Sequence, residues 1–303
     1  MRIGIDLGGT KIEAVVLSDS GDIVYRQRVP TPANDYRATV AAIVELVHLV
    51  EQSVEGLGAE SLATVGIATP GSPSLVDGRM KNCNSTCLNG QFLQRDIEQQ
   101  LERAVRIAND ANCFALSESV DGVAAGEAVV FGVILGTGVG GGLIVNGRPL
   151  VGRSGIGSEW GHNILPGVGV EFANEQRPCY CGNRNCIETY LSGEGLVQSY
   201  ILRGGKRASA REIAQSSVEG ESLAREVMAL YQQQLAYALS QIINVVDPDV
   251  VVLGGGLSNI ESLYEEVPHY WAPWIFSDTV ATRLLPARYG DSSGVRGAAW
   301  LWA

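Results

Sequence analysis

The sequence predicts a two-domain α/β protein whose second half repeats the plan of the first. Each half contains two short apolar strands joined by a glycine-rich turn, at residues 3–17 and again at 129–145. Buried strands and helices of amphipathic spacing then alternate along the chain, which is the pattern of an α/β fold. A length of 303 residues is enough for two such domains.

Composition and charge exclude several classes of protein. Hydrophobic residues make up 46% of the chain and the mean hydropathy is +0.10, as expected for a soluble globular protein. The net charge is −11 and lysine and arginine form no cluster, so nucleic acid is not an expected partner. Residues 128–145 lack charge, but their central glycines fit a turn between strands and not a membrane span. The low cysteine density and the absence of a secretory leader predict a reducing, cytoplasmic location.

The first strand pair carries the sequence GIDLGGTK at residues 4–11. Such a turn presents backbone N–H groups and the Thr10 hydroxyl to phosphate oxygens, and Asp6 is placed to hold a magnesium ion. An ordinary hairpin whose glycines only supply positive φ remains an open alternative. No Walker A sequence occurs. The candidate phosphate-binding residues of this turn are Gly4, Asp6, Gly8, Gly9, Thr10 and Lys11.

The next elements are a strand at residues 22–29, a helix at 35–55 and a buried strand at 64–69. The loop that follows, from 72 to 90, is dense in Asn, Ser and Thr side chains, including Asn84, that can pair with a polyhydroxylated ligand. Loops are generally rich in these residues, so this pattern alone does not define a site. Cys83 and Cys87 in this loop are interpreted as plain thiols.

Asp110 is the candidate general base. A helix at 92–104 and a strand at 105–108 lead to the sequence Asn109-Asp110-Ala111-Asn112. Open α/β sheets place ligands and chemistry just beyond the carboxyl ends of their strands. The alternative is that Asp110 caps the helix predicted from 112 to 121.

The second glycine hairpin has strands at 129–135 and 143–145 around a turn at 136–142. Gly136, Gly138 and Gly141 satisfy G-x-G-x-x-G, but another strand follows where the dinucleotide motif requires a helix. Two similar hairpins, one in each half, instead predict a duplicated nucleotide clamp. Its second set of candidate phosphate-binding residues is Gly136, Thr137, Gly138 and Gly140.

Residues 159–188 combine one histidine, three cysteines and two carboxylates. His162, Cys179, Cys181 and Cys186 form a set that suits a closed, structural zinc site. Glu159 and Glu188 flank this set, so folding the loop around a metal would bring both carboxylates together. The alternatives are buried free cysteines and, less supported, a disulfide.

The last elements are a helix at about 221–246, a buried strand after Pro248, and a terminal helix within 292–303 whose apolar face predicts packing. The strand ends in Gly254, Gly255 and Gly256, a third glycine turn that could lie under an adenine ring or its ribose.

Taken together, these stretches resemble the ROK family of sugar kinases over essentially the whole chain. The motifs that carry the resemblance are GIDLGGTK at 4–11, PGS at 70–72, NDAN at 109–112, GTGVGGG at 136–142, EWGH at 159–162, CYCGNRNCIE at 179–188 and LGGG at 253–256. The resemblance implies the duplicated actin-like ATPase fold of hexokinase, with two domains around a cleft. The expected domains are 1–115, joined by the terminal helix at 288–303, and 116–287 with the zinc loop. A homodimer is also implied.

The resemblance also implies an ATP-dependent hexose 6-kinase with magnesium and structural zinc. Asp110 would accept a proton from the sugar C6 hydroxyl as that oxygen attacks the γ-phosphorus. The other implied sugar-binding residues are Gly71, Asn84, Asn109, Glu159, His162 and Glu188, with His162 using its second ring nitrogen for the sugar.

The loop NCNSTCLNGQ and the ending GDSSGVRGAAWLW are most similar to the fructokinase or manno(fructo)kinase branch. The expected substrate is therefore D-fructose, giving fructose 6-phosphate, with mannose as a second possibility. The alternatives are a kinase for glucose or an N-acetylated hexosamine. A sugar-responsive regulator is less supported, since no helix-turn-helix precedes the first hairpin. Asn185 departs from the family pattern, which has glycine there, and is expected to be tolerated in a left-handed backbone.

Overall fold

The computed structural model describes residues 1–57, 62–165 and 176–303. The chain forms two compact units. Unit 1 contains Met1–Gly126, Gly142–Gly157 and Asp291–Ala303, and unit 2 contains Glu127–Gly141 and Ser158–Gly290. The domain limits and the cleft expected from the resemblance stay predictions.

The strands form two five-stranded sheets of the same plan and one small ribbon. They are β1 Arg2–Leu7, β2 Lys11–Leu17, β3 Ile23–Pro30, β4 Thr64–Thr69, β5 Ser72–Pro73, β6 Met80–Lys81, β7 Val105–Asn109, β8 Val129–Leu135, β9 Val139–Val145, β10 Arg148–Pro149, β11 Val250–Gly254 and β12 Arg283–Pro286. The sheet orders are β3-β2-β1-β4-β7 and β10-β9-β8-β11-β12, and β5 pairs with β6. In the first sheet β1, β2 and β3 are antiparallel neighbours, whereas β4 and β7 run parallel to β1. In the second, β11 runs parallel to β8 and β12. The duplication predicted from the two glycine hairpins is therefore present in the sheets.

The helices are α1 Tyr36–Ser53, α2 Leu93–Leu101, α3 Asp110–Val120, α4 Glu188–Leu191, α5 Gly193–Leu202, α6 Ala210–Glu219, α7 Ser222–Val246, α8 Ser262–Trp271 and α9 Ser293–Trp300. Short 3₁₀ turns occur at Thr86–Leu88, Trp160–His162, Gly256–Asn259, Ala272–Trp274 and Gly290–Ser292. Across the described ranges, no helix has both the length and the apolar character needed to span a membrane.

Helix α9 packs unusually closely against the first sheet and α3. A side chain at Gly4 would approach the Val295 carbonyl oxygen to 2.1 Å, and one at Gly66 would approach that of Ala298 to 1.9 Å. On α9 itself, a Cβ at Gly297 would lie 1.6 Å from the Cys113 carbonyl oxygen of α3. These three glycines let backbones approach where any side chain would separate them. Gly4, predicted to bind phosphate, is buried in β1, so this contact explains the glycine.

Two element boundaries next to predicted site residues differ from the sequence predictions. Strand β9 begins at Val139, not at residue 143, because the three consecutive glycines continue the ladder instead of ending it. Helix α3 begins at Asp110, not at residue 112, and its N-cap is Asn109, whose Oδ1 accepts a hydrogen bond from the Ala111 N–H at 2.9 Å. The residue that caps α3 is therefore the neighbour of the predicted candidate.

Candidate functional site

The predicted site residues divide between the two units, and each group has its own geometry. In unit 1, the turn between β1 and β2 is closed by a hydrogen bond from the Gly8 N–H to the Lys11 carbonyl oxygen at 3.0 Å. Gly8 and Gly9 do not have positive φ. A Cβ on Gly8 would instead lie 2.9 Å from the Lys11 carbonyl oxygen. The alternative in which these glycines only supply positive φ is therefore excluded, while Gly9, Thr10 and Lys11 are exposed and accessible to a ligand.

Two carboxylates, Asp6 and Asp110, lie near one another in unit 1. Asp6 is at the end of β1, and Asp110 follows β7 in the same sheet. Burial, the charge of Asp110 and that of Glu13 raise the pKa of Asp6 to about 6, against a smaller opposing effect of Lys11. A divalent cation would relieve this repulsion, since magnesium prefers carboxylate oxygens. The donor set at this place thus fits the predicted magnesium role of Asp6.

Asp110 is oriented by the first turn of α3. Its Oδ1 accepts a hydrogen bond from the Ala111 N–H at 2.8 Å, and the same N–H serves the Asn109 Oδ1. The positive end of α3 favours the ionised form of a carboxylate placed in its first turn. A carboxylate that is oriented in this way at the carboxyl end of a sheet strand is placed to accept a proton.

Gly71 and Asn84 belong to one structured loop of unit 1. A Cβ on Gly71 would lie 2.4 Å from the Lys81 carbonyl oxygen and 2.6 Å from the Cys83 Sγ, so only glycine allows this packing. Asn89 closes the loop, since its Oδ1 accepts from the Cys83 N–H at 2.9 Å and its Nδ2 donates to the Cys83 carbonyl at 3.0 Å. The exposed Asn84 is therefore presented by a fixed loop. Burial raises the pKa of the Cys83 thiol to about 11, which keeps it neutral.

In unit 2, the second glycine hairpin is linked to Glu188. The Gly136 N–H donates to the Gly138 carbonyl at 3.0 Å, and the Val139 N–H donates to Glu188 Oε2 at 3.0 Å. A Cβ on Gly138 would lie 2.5 Å from that same Oε2. The predicted sugar-binding carboxylate thus uses one oxygen to hold the predicted phosphate-binding turn, whose other members are Thr137 and Gly140.

The third glycine turn follows β11. Gly254 is buried as the last residue of that strand, and Gly255 has φ of 81°. A Cβ on Gly255 would lie 2.5 Å from the Leu135 carbonyl oxygen of β8. Gly255 is therefore required both by its backbone conformation and by close packing, whereas nothing lies within 4 Å of a Cβ on Gly256.

His162, Cys179, Cys181 and Cys186 come together in unit 2, with their ligand atoms within 4.8 Å of one another. The distance from His162 Nδ1 to Cys179 Sγ is 3.6 Å, and that from Cys181 Sγ to Cys186 Sγ is also 3.6 Å. Tetrahedral zinc, with bonds of about 2.0–2.3 Å, separates its ligand atoms by about 3.5–3.8 Å. The donor types and the spacing therefore fit a metal of this kind. The Asn183 N–H helps to lower the pKa of the Cys181 thiol to about 7.

The second nitrogen of His162 has a partner that the sequence did not indicate. Its Nε2 lies 3.0 Å from the Tyr180 hydroxyl, and the two rings meet edge to face with centroids 5.1 Å apart. Burial, together with the charges of Glu188 and Glu159, raises the pKa of Tyr180 to about 12. Although most of the Tyr180 residue is exposed, its hydroxyl lies against His162 and takes the ring nitrogen that the resemblance assigns to the sugar. The only signal in the sequence was its place between two cysteines.

Glu159 and His162 are carried by a turn that Trp160 attaches to the hairpin. The Trp160 indole N–H donates to the Gly140 carbonyl at 3.1 Å, and its ring packs edge to face on Phe131. A Cβ on Gly141 would lie 2.5 Å from the indole ring, which explains that glycine. This contact places the motif EWGH, predicted to bind the sugar, directly beside the second glycine hairpin.

Arg177 and Asn185 support the cysteine loop. No role for Arg177 was predicted from the sequence. Arg177 is buried, and its guanidinium donates to the carbonyls of Thr189 and Gly195. Asn185 has φ of 59°, the left-handed backbone expected there. Its Oδ1 also accepts from the Arg177 N–H at 2.8 Å and the Tyr190 hydroxyl at 3.1 Å. Asparagine at this position therefore contributes two hydrogen bonds that glycine does not have.

The chain belongs to the ROK family, because the model of that family matches residues 2–303. It is 41% identical over 304 residues to the N-acetyl-D-glucosamine kinase of Photobacterium profundum, an alignment that covers 99% of each chain. Among solved structures, it superimposes on the ROK hexokinase from Thermus thermophilus with a TM-score of 0.85 at 29% identity, covering 98% of this chain and 96% of the other.

A second solved structure is a ROK family glucokinase from Streptomyces griseus in complex with glucose and AMPPNP. Its TM-score is 0.77 at 26% identity, and the match covers 99% of this chain and 98% of that one. These comparisons confirm the predicted family and the duplicated actin-like ATPase fold that it shares with hexokinase. They do not support the predicted fructokinase branch. The relative from Photobacterium profundum and two further relatives at 40% identity, from Pectobacterium atrosepticum and Vibrio cholerae, are all named N-acetyl-D-glucosamine kinases.

Proposed function

We propose that this protein transfers the γ-phosphoryl group of ATP to the C6 hydroxyl of N-acetyl-D-glucosamine. The observation that carries the proposal is 41% identity over 99% of both chains to a relative of that name. The alternative of an N-acetylated hexosamine substrate, kept open by the sequence, is thereby favoured over D-fructose and mannose. The two glycine hairpins and the oriented Asp110 supply the groups that the reaction requires.

Asp110 acts as the general base in this proposal. Its Oδ1 is fixed by the Ala111 N–H, and its place beside Asp6 puts two carboxylates at the carboxyl edge of the first sheet. A positioned carboxylate removes the hydroxyl proton as the sugar oxygen attacks phosphorus. The Oδ1 of Asn109 caps helix α3, and its Nδ2 would donate a hydrogen bond to a sugar hydroxyl.

Nucleotide binding is assigned to the glycine turns and Asp6. Backbone N–H groups at the turns of residues 8–11 and 136–140 would neutralise phosphate charge, and Gly255 with Gly256 would border the nucleoside. Asp6 would hold magnesium, which supplies charge neutralisation between the phosphates when bound. Gly254 is buried in β11, so it would not contact the nucleotide but would position the turn at Gly255 and Gly256.

Sugar hydroxyls are assigned to Gly71, Asn84, Asn109, Asp110, Glu159, His162 and Glu188. Carboxylates and amides discriminate between epimers because a misplaced hydroxyl leaves a buried polar group unpaired. The Tyr180 hydroxyl would have to leave His162 Nε2 before the sugar could use that nitrogen. A homodimer remains a prediction from the family resemblance.

Zinc is the metal proposed for His162, Cys179, Cys181 and Cys186. It would be structural, since three thiolates and an imidazole leave no position for water. We expect Cys181→Ser to release the metal and to weaken sugar binding, because this loop carries Glu159 and Glu188 at its ends and metal binding is coupled to folding. Elemental analysis of the purified protein measures the metal, and Cys87→Ser, outside the cluster, is the matched control for metal content. A wild-type protein without stoichiometric zinc would contradict the site.

The activity is tested by ADP release with magnesium and ATP over N-acetylglucosamine, N-acetylmannosamine, glucose, mannose and fructose. We expect the highest kcat/KM for N-acetylglucosamine. A preference for fructose would restore the branch indicated by the loop NCNSTCLNGQ and overturn the proposed substrate. No turnover with any of these sugars, in a folded and zinc-loaded protein, would remove the kinase proposal itself.

A further inference from the structure

Unit 1 contains a cavity of about 310 Å³, and among its lining residues only Gly9 and Asn84 have a binding role assigned above. One wall is the segment after β3, from Thr31 to Asn34, and the opposite wall is the loop from Asn84 to Leu88. Its base includes Leu7 and Gly9 of the first phosphate hairpin. The cavity therefore adjoins both the candidate sugar-binding Asn84 and the candidate phosphate-binding turn.

The chemistry of the cavity is neutral and mixed. None of the residues that line it carries a charge. Leu7, Pro32 and Leu88 supply apolar surface, whereas the polar side chains come from Thr31, Asn34, Thr39, Asn84, Ser85 and Thr86. Such a lining suits an uncharged group that has a donor, an acceptor and a methyl group, because each part finds a matching partner.

Only some of these polar groups are already paired. The hydroxyl of Thr31 donates to the Gly8 carbonyl at 2.7 Å, and that of Thr39 donates to the Asp35 carbonyl at 2.7 Å. Among the described residues, no hydrogen-bond partner is found for the Asn34, Asn84, Ser85 or Thr86 side chains. These four side chains are available to a bound molecule.

Both walls are held in place before a ligand arrives. The Thr31 N–H donates to the Thr10 carbonyl at 3.1 Å, which ties the first wall to the hairpin. The second wall is closed by the reciprocal pair between Asn89 and Cys83. A preformed cavity saves the cost of ordering its walls and so improves affinity for a ligand that fits it.

We propose that this cavity receives the 2-acetamido group of the sugar and selects N-acetylated hexosamines over glucose. The inference rests on the proposed function and identifies the part of the chain that sets its specificity. Ser85, Asn34 and Thr86 pair with the amide N–H and carbonyl, while Pro32 and Leu88 contact the methyl group. The cavity offers no carboxylate, so the ammonium group of glucosamine is poorly matched. Its volume also admits an acyl group longer than acetyl.

The test compares substrates in variants that fill the cavity from either wall. We expect Ala33→Leu and Ser85→Leu to lower kcat/KM for N-acetylglucosamine by about 100-fold, as a filled pocket rejects the group it was shaped for. Ser85→Ala, which removes the proposed hydrogen bond to the acetamido group, should lower kcat/KM for N-acetylglucosamine by about 10-fold. Because glucose lacks the acetamido group, kcat/KM for glucose should change by less than about 3-fold in each variant. The matched control is Ala281→Leu, at an exposed position of unit 2.

Chain length of the acyl group gives a second readout. N-propanoylglucosamine should be accepted by the wild type within about 10-fold of the acetyl compound, since one methylene changes such binding by about that factor. Ala33→Leu should exclude the propanoyl compound more strongly than the acetyl one. Equal losses for glucose and both acyl sugars would overturn the inference.

Cys87 lines the cavity and reports its occupation without turnover. Mass spectrometry of the peptide that contains Cys87 measures its alkylation by iodoacetamide. N-acetylglucosamine should slow this alkylation more than glucose does when both sugars saturate the protein. Equal protection by the two sugars, in an enzyme that phosphorylates N-acetylglucosamine preferentially, overturns the cavity assignment and leaves the proposed function intact. A wild type that prefers glucose overturns the proposed function and this inference together.

Discussion

Asn109 and Asp110 show how a single N–H group can serve two purposes. Both side chains accept from the Ala111 N–H, so the helix cap and the orientation of the candidate base depend on one backbone group. This explains why the sequence could be interpreted either as a cap or as a base. The two roles fall on adjacent residues and not on one.

We expect Asp110→Asn to lower kcat by about 10²- to 10⁴-fold, the usual contribution of a positioned general base. The amide is of the same size and keeps an oxygen for the Ala111 N–H, so the fold and sugar binding should be retained. Turnover is measured by ADP release and sugar binding by calorimetry. Near-normal turnover would remove Asp110 from the mechanism.

The raised pKa of Asp6 should make the stability of the protein depend on pH when neither nucleotide nor magnesium is bound. Its pKa of about 6 lies above the value of 3.8 for the unfolded chain, so the folded state binds the proton more tightly. The stability that the protonated group contributes is present below about pH 4 and is lost as the pH rises to about 6. Above that pH, the buried charge destabilises the fold.

Asp6→Asn should therefore be more stable than the wild type at pH 7, by about 1–3 kcal/mol, with the difference vanishing near pH 4. Urea unfolding at both pH values measures this difference. Asp278→Asn, at an exposed position, is the control and should show no such pH-dependent gain. An equal gain in the two variants would show that general charge reduction is responsible.

At the scale of the elements, α9 depends on its glycine at position 297. We expect Gly297→Ala to lower the free energy of unfolding by about 1–3 kcal/mol, since its Cβ would collide with the backbone of α3 at Cys113. Because α3 begins at Asp110, turnover should fall as well. Stability is measured by urea titration and turnover by ADP release.

The same helix provides a matched control for this collision. At Gly294 the nearest atom to an added Cβ is Asp6 Oδ2, at 3.9 Å. Gly294→Ala should be neutral or slightly stabilising, because alanine is the better helix former. If both alanines were tolerated equally, the close packing of α3 and α9 would not determine stability.

The hairpins were predictable because their signals are local. Apolar, β-branched runs and glycine clusters at residues 2–17 and 129–145 identify the strands and turns without any tertiary information. The end of the second turn was misplaced because glycine can lie in a strand as well as in a turn, and only sheet pairing decides between them. The cysteine cluster was also predictable, since candidate metal ligands can be recognised by their residue types.

Other parts of the site could not be predicted, because they depend on contacts between distant segments. Thr31 and Asn84 line one cavity although 53 positions separate them in the sequence, and neither has a distinctive pattern around it. Tyr180 and Arg177 act through contacts with His162 and Gly195 that no spacing rule indicates. The substrate prediction favoured fructose, whereas the curated relatives are named N-acetyl-D-glucosamine kinases.

For the molecule as a whole, substrate binding should be visible as stability. A ligand that binds only the folded state at about 100 times its Kd raises the free energy of unfolding by about 2.7 kcal/mol. We expect N-acetylglucosamine to raise Tm by several degrees in both the wild type and Asp110→Asn. Fructose at the same concentration should have little effect, and a larger shift with fructose would favour the other branch.

The order of segments in unit 1 has a consequence for synthesis of the protein. Helix α9, which covers Gly4 and Gly66 of the first sheet, belongs to the segment 291–303, and all of unit 2 precedes this segment in the chain. As the chain leaves the ribosome, the first 126 residues emerge early but lack the helix that completes their core. Unit 2, whose last segment is continuous from 158 to 290, can fold before them. A chaperone that shields newly made chains would therefore be expected to hold the first sheet until residues 291–303 have been made.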